Sequence, residues 1–222
     1  MTLVEAVCGL LRRTYALEAP LLPIGRYIIG DAGFRELYAN GAAEACSEGG
    51  DGARLLVRDT GEGIRARIYF PDAMIARLEQ RPPQQGLDEH NVDAFAVLVE
   101  ELDHLLVTAE RAHAGRGVSL LELELQANVS KDLVLSRFLA GSRRRLPPTR
   151  RSWLRHHLFY KRIYADADPE VRARYDEAAR SALRFLRTLE RAPRVRRVAA
   201  LRRFHRAPLE EKLALSSPER RL

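Results

Sequence analysis

The amino-acid sequence predicts an α+β fold that is mainly α-helical: a small N-terminal part with a β-hairpin, a helical bundle, and a basic C-terminal tail. Three observations predict it. Apolar residues between positions 91 and 139 recur at the three-and-four spacing of helices. One pair of β-favouring runs, at 54–59 and 64–70, lies ahead of them. Charge is also split along the chain. Lys and Arg number 14 against 21 Asp and Glu up to Ala140, then 23 against 9 beyond it. An acidic body joined to a basic end implies an anionic partner, nucleic acid first or an acidic protein, unless the two parts neutralise each other within the fold.

Composition narrows the class. A hydrophobic share of 46% excludes wholesale disorder. Cys8 and Cys46 are too few for a disulfide scaffold, which implies a reducing, cytoplasmic setting. Residues 1–5 lack the basic start of a secretory signal, and no apolar run approaches the ~20 residues of a membrane span. Oligomeric state and cofactor cannot be read from these features.

In order, residues 2–19 read as a short amphipathic helix through Val4, Val7, Cys8, Leu11 and Tyr15. Pro20 and Pro23 bracket a turn. A helix is expected over 31–47 with Asp31 as its cap, weakened by Gly41. Gly49, Gly50 and Gly52 mark a loop that lacks the Lys and Ser/Thr of a phosphate loop. The hairpin turns at Thr60-Gly61-Glu62-Gly63 and needs further support, with 26–29 the candidate extra strand. Pro71-Asp72 opens a helix to Glu79, and Arg81-Pro82-Pro83 begins the linker that ends the N-terminal part at Gly86.

The bundle is expected over 87–190. In its first helix Phe95, Leu98, Val99, Leu102, Leu105, Leu106 and Ala109 form the apolar stripe, with Glu100 and His104 nearly opposite. That face reads first as a solvated polar one, since exposed acids are the norm, while Val97 and Val107 flanking His104 offer a covered face as the alternative. Ser119 with Glu122 has the pattern of a capping box, opening a helix that is apolar on two sides and therefore buried. Glu124, Asn128 and Lys131 run down the seam between those sides. A buried charge needs a partner. One arrangement pairs Glu124 with Lys131 through Asn128. The other is a metal or acid–base site of Glu101, His104 and Glu124. The segment Glu101-Leu102-Asp103-His104 resembles the Glu-x-x-His form of di-iron helical bundles, although those use two such motifs and further carboxylates.

A second break at 141–148 leads to a helix over 151–164 that mixes Trp153, His157, Tyr160 and Tyr164 with Arg155, Lys161 and Arg162. Those aromatics suit either a core stripe or stacking on bases. The stretch Arg151-Ser152-Trp153-Leu154-Arg155-His156 resembles the Arg-x4-His motif of the HEPN ribonucleases, a helical family in which the Arg and His act on RNA. The resemblance covers six residues and implies catalytic roles for Arg151 and His156, with imidazole serving as acid or base.

Asp168-Pro169-Glu170 starts a helix to Glu190 whose stripe is Val171, Tyr175, Ala178, Ala182, Phe185 and Leu189. Arg180, Arg184, Arg187 and Arg191 line another face. The tail, 191–222, is a basic amphipathic helix as far as Pro208, with Arg196, Arg197, Arg202 and Arg203 the further candidates for an anion. The sequence therefore predicts an interaction module that binds nucleic acid through its Arg-rich end. Its rivals are an enzyme of one of the two kinds named and a scaffold for an acidic protein.

Overall fold

The computed structural model describes residues 1–39, 44–45, 52–61, 63–141, 146–161 and 168–217. Thr2 opens α1 (Leu3–Tyr15) with a complete capping box: its hydroxyl accepts from the Glu5 amide, and the Glu5 carboxylate accepts from the Thr2 amide. A 3-10 turn, Ile24–Tyr27, leads into β1 (Ile28–Ile29), which supplies the expected third strand over half its expected length. Helix α2 (Asp31–Ala39) is shorter than the sequence implies. Glu44–Ala45 is instead a strand, β2, because pairing with Val57 and Leu56 gives its backbone a ladder that a helix there would forgo. Strands β3 (Arg54–Asp59) and β4 (Ile64–Tyr69) form the predicted hairpin, and the sheet order is β1-β4-β3-β2 with β1 parallel to β4.

Helix α3 (Asp72–Gln80) follows, with Pro71 just outside its first turn. The segment expected as a linker is a tied corner, since the Asn91 amide donates to the carbonyls of Arg81 and Gly86. One hydrophobic cluster runs across it, joining Val7, Leu55 and Ile68 to Phe95, Leu125 and Phe185. Helices α4 (Val92–His113) and α5 (Leu120–Ala140) form the centre, α5 capped by the Ser119 hydroxyl. Both faces of α4 are covered, Val97 and Val107 included.

Helix α6 (Pro148–Arg155) begins ahead of the expected start at Arg151, because proline is tolerated in a first turn. The chain then widens into a π-turn, His156–Tyr160. The Trp153 and His157 rings pack together with centroids 4.5 Å apart, while Tyr160 points outward, 58% exposed. Helix α7 (Pro169–Arg191) begins at the predicted cap, Asp168. The basic segment continues as α8 (Arg194–Arg206) and α9 (Leu209–Leu215), divided at Pro208 as expected. It lies on the fold: Phe204 stacks on Phe185 at 4.0 Å, and His205 stacks on Tyr15 of α1 at 4.6 Å. Cys8 is a buried thiol that burial pushes up to about 12 in pKa, against the opposing pull of Arg12. The basic run at Arg143–Arg145, the glycines at 49–50, Cys46, Tyr164 and the last five residues lie outside the described residues.

Candidate metal centre

Charge inside α4 is arranged by helical geometry. Glu100 and His104 stand four positions apart, so their side chains rise on one side of the helix, one turn above the other. Against that side α5 presents Glu124. Each of the three offers one ligand atom, and these atoms all lie within 4.8 Å of one another. The residues are 4%, 1% and 3% exposed respectively, so water does little to solvate them. His104 Nε2 stands 3.6 Å from Glu124 Oε1, an ion-pair distance beyond hydrogen-bond range. Among the described residues, neither ring nitrogen of His104 has a hydrogen-bond partner, and nor has Glu124 Oε2. Buried polar atoms without partners cost about 1–3 kcal/mol each.

A cation already borders the group. Lys131 Nζ of α5 donates to Glu100 Oε2 at 2.7 Å, with both side chains buried. Lys131 therefore pairs with Glu100. Asn128 does not bridge Glu124 to Lys131 as the sequence suggested, since its amide is spent on the Glu124 backbone carbonyl at 2.9 Å. Burial alone would lower the His104 pKa, but the carboxylates of Glu124, Glu101 and Glu100 outweigh it and carry the imidazole up to about 9. Tyr175 of α7 closes the same region. Its hydroxyl is pushed up by burial first and then by the negative charges of Glu124 and Glu100.

The acid that joins His104 and Glu124 is Glu100, where the Glu-x-x-His spacing had singled out Glu101. Glu101 is also fully buried and its charge acts on His104, but a rotation of about 100° turns it away from Glu100. Arg151 is held by Glu190, which also pairs with Arg155 at 3.0 Å. His156 is exposed, with its ring edge-on to His157, in the π-turn beyond the end of α6. Arg151 and His156 thus have different partners.

The arginine candidates fall into three groups. Arg180 and Arg184 pair with Glu177 at 3.4 and 3.5 Å, and Arg203 pairs with Glu211 at 2.7 Å. Arg197 donates to the carbonyls of Glu190 and Ala192, and Arg202 to those of Thr14 and Arg13, each closing a helix end. Arg187 donates to the Tyr160 hydroxyl at 3.2 Å, while Arg191 and Arg196 are exposed.

A second polar chain, not foreseen, runs through the interior beside the first. Ser130 Oγ donates to Asp103 Oδ1 at 2.6 Å and lies 2.8 Å from the Tyr15 hydroxyl. Lys212 of α9, wholly buried, donates to Gln126 Oε1 at 2.9 Å and stands 3.6 Å from Glu122. Arg111 binds Glu122 at 2.5 Å and donates to the carbonyls of His205 and Ala207 at 2.9 Å, closing the end of α8. Burial raises Asp103 to about 6 even though Ser130, His104 and Lys212 pull it down. A signal for this chain was present in the sequence. Lys212 is one of only three lysines, and Leu209 and Leu215 stand three positions to either side of it, on the same side of a helix.

No family model, curated protein or solved structure matches the chain.

Proposed function

We propose that this bundle holds a divalent metal ion between α4 and α5, with Glu100, His104 and Glu124 as ligands. The observation that carries the proposal is the convergence of three buried ligand atoms within 4.8 Å, with both imidazole nitrogens left without hydrogen bonds. Ligands at about 2.1 Å from an ion stand no more than about 4.2 Å apart, so side-chain shifts of under about 1 Å close the group. One imidazole with two carboxylates suits Mn2+, Fe2+ or Zn2+ better than the all-oxygen ions Ca2+ and Mg2+ or the thiolate-seeking Cu+. A carboxylate has two oxygens and several lone pairs, so contact with Lys131 does not bar Glu100 from an ion. Enclosure of all three ligands favours an ion retained by the fold over an open catalytic position.

Elemental analysis after equilibrium dialysis tests this. Protein stripped with chelator and dialysed against Mn2+, Fe2+ or Zn2+ is expected to retain one equivalent, and the Glu124→Gln and His104→Gln variants less than a tenth of it. A wild-type protein that retains none would mean that Glu100, Lys131, His104 and Glu124 simply neutralise one another.

A second reading rests on a separate observation. Arg187 and Arg191 on the outer side of α7, Arg196 on α8 and the outward Tyr160 present guanidinium groups beside an aromatic ring. That combination favours a nucleic-acid partner, through phosphate contacts and base stacking, over an acidic protein. Fluorescence anisotropy with a short single-stranded RNA should show binding that falls steeply between 50 and 200 mM salt. Replacing Arg187 and Arg191 together by Gln should remove most of it, and indifference to salt would end this reading.

A further inference from the structure

The hairpin carries a feature that neither reading uses. Register places Arg54 opposite Tyr69, Leu56 opposite Arg67 and Arg58 opposite Arg65, and paired residues share a face. The outer face of β3 and β4 therefore bears Arg54, Arg58, Arg65 and Arg67 and no acid, while Leu55, Ala66 and Ile68 on the other face are buried against the core. Helix α2 covers one end of the outer face. There Phe34 stacks on Tyr69 at 4.1 Å, and the Arg54 guanidinium lies 5.5 Å from the Phe34 ring centre.

Beyond that cover is a groove of about 200 Å³, lined by Leu37 of α2, Leu56 and the three exposed arginines Arg58, Arg65 and Arg67. Like charges placed directly opposite on a ladder are unfavourable. Among the described residues no carboxylate lies within ion-pair distance of any of the three. The one hydrogen bond from them runs from Arg67 to the neighbouring carbonyl of Ala66. A hairpin that accepts this repulsion is arranged for an anion.

We infer that the groove binds a phosphate monoester with an apolar body. Three guanidiniums match the three terminal oxygens and double charge of a phosphate better than they match a carboxylate. Leu37 and Leu56 supply an apolar wall for whatever the phosphate is attached to. The site is remote in chemistry from the metal group and stands or falls independently of it.

Isothermal titration of the full chain at low ionic strength, with phenyl phosphate, inorganic phosphate and benzoate as probes, tests the assignment. Phenyl phosphate is expected to saturate a single site. Inorganic phosphate, lacking the apolar body, and benzoate, lacking the third oxygen, should each bind about fivefold more weakly or worse. Arg65→Gln should weaken phenyl phosphate by about tenfold or more, because a charge-assisted hydrogen bond is lost. The same variant should melt about 1–3 °C higher without ligand, because the repulsion with Arg58 is gone. Arg58→Gln should behave alike. Absence of saturable phenyl phosphate binding, binding by both variants as tight as that of the wild type, or benzoate binding as tight as phenyl phosphate would each overturn the inference.

Discussion

Arg111 and Arg203 each hold a glutamate at close range, yet they belong to different regions and do different work. Arg111 lies between α4 and α5 with Glu122, both buried, and the same guanidinium closes the end of α8. Arg203 meets Glu211 on the outside, where water solvates both. In the interior Glu122 with Arg111 and Glu100 with Lys131 are fixed by geometry to each other. On the outer faces of α7 and α8 arginines are many, and several merely neutralise a neighbour or close a helix. Position rather than number sets the effect of a charge, because pairs are strong only where water is excluded.

The largest expected effect breaks the interior member of that comparison. Arg111→Met leaves the Glu122 carboxylate only its longer contact with Lys212 and strands the backbone carbonyls of His205, Arg206 and Ala207, and should cost about 3–5 kcal/mol of unfolding free energy in urea. Arg111→Met combined with Glu122→Leu should recover much of that, since the cost comes from the uncompensated charge rather than from the loss of the pair. A single-variant cost below about 1 kcal/mol would erase the distinction between the two regions.

His205 sharpens the comparison through pH. Burial, reinforced by the positive charges of Lys212 and Arg111, lowers its pKa to about 3. The unfolded chain therefore binds the proton first. Stability should fall as pH drops below the ordinary imidazole value of about 6.5, by roughly 1 kcal/mol per pH unit, and level off near pH 3. His205→Phe, which keeps the stack on Tyr15, should flatten that part of the curve; an unchanged slope would place the acid sensitivity elsewhere. The smallest effect belongs outside. Arg203→Ala should alter stability by less than about 1 kcal/mol, and by less still in high salt. A larger loss would make the surface pairs structural.

Legibility in the sequence followed the same division. The hairpin was readable because Arg54–Asp59 and Ile64–Tyr69 flank a glycine-bearing turn. Helices α4, α5 and α7 were readable because their apolar residues keep helical period and Asn91, Ser119 and Asp168 stand at their starts. Burial of Glu124 and Lys131 could be foreseen from the apolar residues around them, whereas Glu100 read first as part of a solvated face and is in fact buried. Which carboxylate meets which cation could not. A choice between Glu100 and Glu101 depends on where α5 crosses α4, and that is a property of the packed pair. Nor could the attachment of Lys212 to Gln126, 86 positions earlier in the chain, be read from any local spacing. Strand β2 was missed because its pairing with β3 overrode a helix-like composition.

The interior charges of α4 and α5 are proposed to form a centre able to hold a metal ion. Crystals soaked in Mn2+ or Zn2+, with diffraction recorded at the absorption edge of the metal, test it most directly. The account predicts one anomalous peak between the helices, about 2.0–2.3 Å from a nitrogen of His104 and from oxygens of Glu100 and Glu124. An interior without a peak, with Lys131 still on Glu100 and His104 still beside Glu124, would contradict it.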